Sequence, residues 1–309
     1  MISFKRFVEE VVKGVADAMG HEYEVTARTV TKNNGITLTG VIITKKGSRI
    51  IPAIYLDEPY KKYIVGKTSI KMTIAWVMNI YRKQGQNIPL ISSHMEKFQN
   101  YQDIENLVAF KLINTEKNQE LLSQIPSIPF ENLSIVFYLY LGSSDKEVFT
   151  ILIRNEFLEI WKVTKEKLYE DATKNTPQLL PETFRELGET ITEMRRQKFN
   201  DYDLPIQADY LEEDLGMYVL TNQKHILGAA CLLYPGVLKR YADQLNNDLL
   251  ILPSSTHEVL ILPYDETVDI DEMRSLVQWV NVIEVSEEEQ LSGQIYLYKR
   301  LEDQMMVAS

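Results

Sequence analysis

The chain has 309 residues, 45% hydrophobic and 25% charged, which is the composition of an ordinary soluble globular protein. It contains no run of about 18 uncharged apolar residues, and six charged side chains lie among residues 1–19. We therefore expect neither a membrane span nor a Sec-type signal, and we predict a cytoplasmic protein. Cys231 is the single cysteine, which excludes an intramolecular disulfide and a thiolate-rich metal site.

Charge divides the chain into two parts of opposite sign. Residues 1–90 contain 14 Lys and Arg against 7 Asp and Glu, a formal charge of +7. The remainder contains 19 basic and 37 acidic residues, a charge of −18, which brings the whole chain to −11. We predict a basic unit at 1–90, a connection at 91–106 and an acidic unit at 107–309. Such a division favours either an anionic partner for the basic unit or attraction between the two units.

The basic unit is predicted to have the order α-β-β-β-α. Apolar residues recur three and four positions apart from Phe4 to Met19, which predicts a helix that ends at Gly20. Turn residues separate three runs rich in β-branched side chains, and Asn34-Gly35 supplies the positive φ of a tight hairpin. The strands are predicted at 21–30, 35–44 and 48–56, and helical segments at 57–66 and 67–85.

The acidic unit alternates strands and helices, which predicts an α+β fold: a larger mixed α/β domain with helices packed on a sheet follows the small N-terminal unit. Strands are predicted at 106–113, 133–142, 147–153, 216–223, 248–253, 257–263 and 294–300. Helices are predicted at 115–126, 155–161, 164–176, 181–197, 235–246 and 268–283, and an exposed acidic loop at 202–216.

The stretch "LPSSTHEVLILP", residues 252–263, contains the side chains of a hydrolase: Ser254, Ser255, His257 and Glu258. A zinc-binding His-Glu-x-x-His helix is excluded because Ile261 occupies the second histidine position. A nucleophile elbow is excluded because no glycine flanks either serine. A turn between two strands is therefore the favoured interpretation. A hydrolase-like site at these four residues is kept as an alternative.

Phosphate and metal motifs are incomplete. "GKTSIK", residues 66–71, lacks the earlier glycine of a Walker loop, and no Gly-x-Gly-x-x-Gly occurs. The acidic clusters lack the residue order of a calcium loop, and the carboxylates near residue 270 suit a helix N-terminus. We predict no cofactor and no metal site.

The order of elements in the basic unit is shared with double-stranded-RNA-binding modules, which place lysines at the start of their last helix. Nucleic-acid binding is therefore a second alternative, although the lysine spacing differs from that of those modules. The candidate contacts are Lys45, Lys46, Arg49, Lys61, Lys62 and Lys67.

Several phrases together resemble a bacterial family, found mostly in clostridial gut organisms, that is known as domain of unknown function 5688. The phrases are "KNNGITLTGVII", "PAIYLDEPYKKY", "MYVLTNQKHILGAACLLYPGVL", "LLILPSSTHEVLILP" and "QLSGQIYLYKR". The likeness extends from the Asn33-Asn34-Gly35 turn to Tyr298 and implies membership without an activity.

The main hypothesis from sequence is a cytoplasmic, non-enzymatic interaction or regulatory protein. Its partner would be another protein, or each unit would bind the other, with no membrane involved. The hydrolase-like site and nucleic-acid binding are the two alternatives.

Overall fold

A computed structural model describes residues 2–45, 53–85, 98–143, 148–190, 192, 216–253, 255–283 and 285–308. The chain divides into two compact units, Met1–Gln99 and Asn100–Ser309, called here the N-terminal and C-terminal units. Each unit combines helices with antiparallel strands. The predicted α+β class is confirmed.

The N-terminal unit contains α1 (Phe4–Met19), β1 (Tyr23–Thr31), β2 (Thr37–Lys45), β3 (Ala53–Tyr55), α2 (Asp57–Ile64) and α3 (Ile70–Gly85). The strands form one antiparallel sheet in the order β1-β2-β3. Asn34 and Gly35 take φ angles of 58° and 70° between β1 and β2, as the hairpin prediction requires. Of the third predicted strand, the described part forms β3, and residues 46–52 lie outside the described residues.

A single hydrophobic core holds this unit together. The face of α1 that the apolar spacing predicted packs against the sheet and α3. The fully or nearly buried residues of this core are Phe7, Val8, Val11, Val15, Val41, Ile43, Ile54, Leu56 and Val77. A Cβ at Gly14 would come 2.2 Å from the side chain of Ile74, so the glycine permits the close approach of α3 to α1. This packing turns the opposite face of α3 toward solvent.

The C-terminal unit contains two antiparallel sheets. The first is built from β4 (Val108–Asn114), β5 (Ser127–Phe130), β6 (Leu133–Ser143) and β7 (Val148–Leu152). Strand β6 is central, with β4 along one edge and β5 and then β7 along the other. The first seven residues of β6 are buried, which agrees with its near-continuous apolar sequence.

The second sheet has the strand order β13-β12-β10-β11-β9-β8. Its strands are β8 (Glu182–Glu186), β9 (Tyr218–Asn222), β10 (Leu249–Leu252), β11 (Val259–Pro263), β12 (Tyr296–Lys299) and β13 (Gln304–Val307). The α-helices of this unit include α4 (Gln119–Leu122), α5 (Asn155–Trp161), α6 (Lys165–Leu179), α7 (Val237–Leu245) and α8 (Ile270–Ile283), and residues 187–190 are also helical. A six-residue 3₁₀ helix spans Gly228–Leu233.

Two predicted elements of this unit are wrong in part. Residues 182–186 form β8 instead of the start of a helix, because they pair with β9 and because Phe184 stacks on Tyr218 and Tyr241 at ring-centroid distances of 4.8 and 3.9 Å. The helix predicted at 115–126 is shorter, because Glu116–Asn118 form a 3₁₀ turn and the α-helix spans only Gln119–Leu122. The predicted closing strand is followed by another, β13. Most of the predicted loop at 202–216 lies outside the described residues.

Candidate functional site

The serine-containing stretch connects two strands, as the turn interpretation expects. Strand β10 pairs antiparallel with β11, with Leu252 opposite Leu260, so residues 253–258 form the connection. We call these residues the β10–β11 loop. Ser254 lies outside the described residues, whereas Ser255 is buried and forms a β-bridge with Gln290. Ser255, His257 and Glu258 therefore belong to one loop, and Ser255 is bridged to the distant segment that contains Gln290.

The His257 side chain is held by bonds to both of its ring nitrogens. Nδ1 accepts a hydrogen bond from the backbone N–H of Leu227 at 3.2 Å, so Nδ1 carries no proton in this arrangement. Nε2 then carries the proton and lies 3.2 Å from Oε1 of Glu289. Glu289 is itself oriented, because its other oxygen accepts from the Ser286 hydroxyl at 2.9 Å.

Ser255 contacts the His257 backbone and not its ring. The hydroxyl of Ser255 accepts from the backbone N–H of His257 at 3.0 Å, a local turn of the kind expected for serine. His257 could activate a serine only through a ring nitrogen that the hydroxyl can reach, and both nitrogens of His257 are engaged elsewhere. This geometry weighs against a catalytic pair formed by Ser255 and His257.

Backbone hydrogen bonds tie the β10–β11 loop to two other segments. On one side, Thr256 N–H donates to the carbonyl of Glu289 at 2.8 Å, and Ser292 N–H donates to the carbonyl of Pro253 at 2.9 Å. On the other side, Ala229 N–H donates to the carbonyl of Thr256 at 3.2 Å. These contacts satisfy polar groups that burial would otherwise leave unpaired.

Gly228 packs directly against the loop. The carbonyl of His257 accepts from the Thr221 hydroxyl at 2.7 Å, and a Cβ at Gly228 would come 2.4 Å from that same carbonyl oxygen. Leu227 has a φ of 57°, a left-handed conformation that is costly for a leucine. Its N–H is directed at the His257 ring, so the histidine stabilises this strained backbone.

The carboxyl group of Glu258 has a raised pKa in this loop. Burial raises the pKa of the Glu258 carboxyl, while His257 and His225 oppose the shift and Glu289 adds to it. The Ser255 hydroxyl also lies within hydrogen-bonding range of this carboxylate.

Within the described ranges, no group of three His, Cys, Asp or Glu side chains is arranged to hold a metal ion.

The partners of the loop were not identified from sequence. Glu289 is 32 residues from His257 and belongs to an acidic run that carries no motif, and Leu227 contributes only its backbone.

Cys231 lies nearby in the core, where its thiol donates to the carbonyl of Thr221 at 3.2 Å. Burial raises the pKa of the Cys231 thiol to about 12, which makes it a poor nucleophile.

The candidate nucleic-acid residues are spread over several elements. Lys45 ends β2, Lys61 and Lys62 lie in the last turn of α2, and Lys67 lies in the connection to α3. Lys61 forms an ion pair with Glu58 at 2.6 Å. Lys46 and Arg49 lie outside the described residues.

Helix α3 presents large apolar side chains to solvent. Met72 is 60% exposed and Trp76, one turn later, is 41% exposed. At about 100° per residue, the exposed positions of α3 fall within an arc of about 140°. We call this surface the α3 face: Lys71, Met72, Ala75, Trp76, Asn79, Arg82 and Lys83. Residues 59–83 contain six Lys and Arg and no Asp or Glu.

Helix α8 has a second exposed face, of opposite charge. Its buried side packs Val277 and Met273 against Leu250 and Leu252 of the sheet. Trp279 and Val282 are 60% and 82% exposed. The α8 face comprises Asp271, Glu272, Ser275, Gln278, Trp279, Val282 and Ile283. Residues 265–289 contain nine Asp and Glu and one Arg.

Comparisons with known proteins place the chain in a family without assigning an activity. A family model described as "Family of unknown function (DUF5688)" matches residues 4–300. No curated protein and no solved structure matches the chain. None of the helices in the described ranges is long and apolar enough to cross a membrane.

Proposed function

The chain belongs to this family of unknown function, and on that premise we propose that it is a non-enzymatic interaction protein that binds an acidic protein surface through the α3 face. The exposure of Met72 and Trp76 on a helix bounded by cations carries the proposal. Large apolar side chains grouped at the surface mark binding sites more often than scattered ones do.

Burial of these side chains supplies the affinity. Covering apolar surface contributes roughly 25 cal/mol per Å², and tryptophan is enriched among the residues that dominate protein interfaces. Lys71 lies beside the apolar pair, and Arg82 and Lys83 lie in the last turn of the same helix face. Such charges mainly speed the encounter with an acidic partner and select against basic ones. The α3 face therefore combines exposed apolar side chains with cations on one side of a single helix.

The contacts of His257 in the β10–β11 loop also support a non-enzymatic role. For His257 to act as a general base, a substrate or nucleophile must reach one of its ring nitrogens, and both are occupied by Leu227 and Glu289. The loop instead has the contacts of a structural clamp between two segments of the C-terminal unit.

A photo-cross-linking amino acid at position 72 of the full chain tests the proposal. Illuminated in the cells that naturally make the protein, it should form adducts with a defined protein, which mass spectrometry identifies. The same amino acid at Ala18, an exposed position on α1, is the matched control and should form none. Adducts with nucleic acid alone, or equal adducts from both positions, would overturn the proposal.

A further inference from the structure

The α3 face and the α8 face are complementary in charge and in the positions of their apolar and charged residues along the helix. On α3 the apolar residues lie in the first half, and Arg82 and Lys83 lie in the last turn. On α8 the order is reversed, with Asp271 and Glu272 in the first turn and the apolar residues in the second half. Two such helices match only when they run antiparallel.

The spacings along the two helices also agree. From the centre of Met72 and Trp76 to the centre of Arg82 and Lys83 is roughly 13 Å at a rise of 1.5 Å per residue. From the centre of Trp279, Val282 and Ile283 back to Asp271 and Glu272 in the first turn is roughly 15 Å. In an antiparallel pair, apolar surface meets apolar surface while cations meet carboxylates.

We propose that the α3 face of one copy of this chain docks antiparallel on the α8 face of a second copy. This inference rests on the proposed function and names its acidic partner. The two faces differ, so the contact is head-to-tail, and an open assembly has one unused α3 face at one end and one unused α8 face at the other. Such contacts close into rings or extend into chains, and salt weakens them.

Complementing variants of the full chain test this contact. Met72→Glu disables the α3 face, and Trp279→Lys disables the α8 face. By sedimentation velocity, the wild type should associate above the 35.8 kDa of one chain, and each variant alone should remain at that mass. An equimolar mixture retains one intact pair of faces and should form a dimer of one copy of each variant. Each single variant should weaken association about tenfold or more.

Matched controls and alternatives keep the test decisive. Ala18→Glu makes the same charge change on α1, and Leu301→Lys alters an apolar side chain that is 87% exposed outside the α8 face. Both should associate like the wild type. If circular dichroism shows that a face variant is unfolded, Ala75→Glu or Val282→Lys replaces it.

A charge exchange tests the antiparallel direction. Lys83→Glu and Glu272→Lys should each weaken association about threefold, and a chain that carries both should recover wild-type association. A wild type that is monomeric at about 100 μM, or a mixture of the face variants that stays monomeric, overturns the second copy as partner. If cross-links from position 72 then reach a different protein, the proposed function still holds.

Discussion

The polar side chains of the β10–β11 loop are hydrogen-bonded within the fold, whereas the apolar side chains of the α3 face are exposed to solvent. The loop has the residue types of a catalytic site, yet His257 is bonded at both ring nitrogens and Ser255 is bonded to a neighbouring N–H. The α3 face has no motif, yet Met72 and Trp76 are exposed. A group that has satisfied its bonds inside the fold stabilises the fold, whereas an exposed apolar group is available to a partner.

Gly228→Ala should have the largest effect on the loop. The new Cβ would lie 2.4 Å from the His257 carbonyl oxygen and 2.8 Å from the Asn222 nitrogen, and main-chain atoms cannot rotate away. We expect the free energy of unfolding to fall by about 3 kcal/mol, measured by urea denaturation. Gly293→Ala is the control, because its Cβ would meet only the flexible side chain of Gln278 at 3.3 Å. A small loss at Gly228 would mean that the loop is not clamped.

His257→Ala should lower the free energy of unfolding by about 2 kcal/mol, because the Leu227 N–H and the Glu289 carboxylate both lose a partner. His257→Asn should recover part of that loss. The asparagine oxygen lies near the position of Nδ1 and accepts from the same N–H. Thermal and urea unfolding of both variants measure this, and equal losses would remove the structural role assigned to the Leu227 bond.

Glu258→Gln should raise the free energy of unfolding at pH 8 by about 1 kcal/mol, because the buried carboxylate is costly when charged. A carboxyl whose pKa is raised in the fold favours folding below its unfolded pKa, near 4.5, and loses that contribution as the pH rises through the folded value. The advantage of the variant should therefore shrink as the pH falls from 8 toward 4.5. An advantage independent of pH would contradict this cause.

Met72→Gln should have the smallest effect on stability, about 0.5 kcal/mol or less, because the side chain is mostly exposed and glutamine is a good helix former. The same change should reduce association through the α3 face, measured by sedimentation velocity. Loss of stability comparable with that of His257→Ala would show that Met72 contributes to the fold of the N-terminal unit instead.

Local patterns in the sequence predicted the elements whose partners are near in the chain. The spacing of Phe7, Val11 and Val15 predicts α1 because one face of a helix must be apolar to pack on a sheet. Asn34-Gly35 predicts the β1–β2 hairpin because the turn needs positive φ. In contrast, the local sequence of β8 predicts a helix. The strand forms because Phe184 stacks on Tyr218 and Tyr241, which are distant in the sequence.

By itself the sequence determined the α+β class, most of the helices and strands, the division of charge, and the turn between β10 and β11. These follow from side-chain periodicity and backbone preference, which act over a few residues. Only the tertiary structure decided that His257 is paired with Leu227 and Glu289, and that Trp76 and Trp279 face solvent. Hydrogen-bond satisfaction and exposure depend on which distant segments meet, and no local pattern records that.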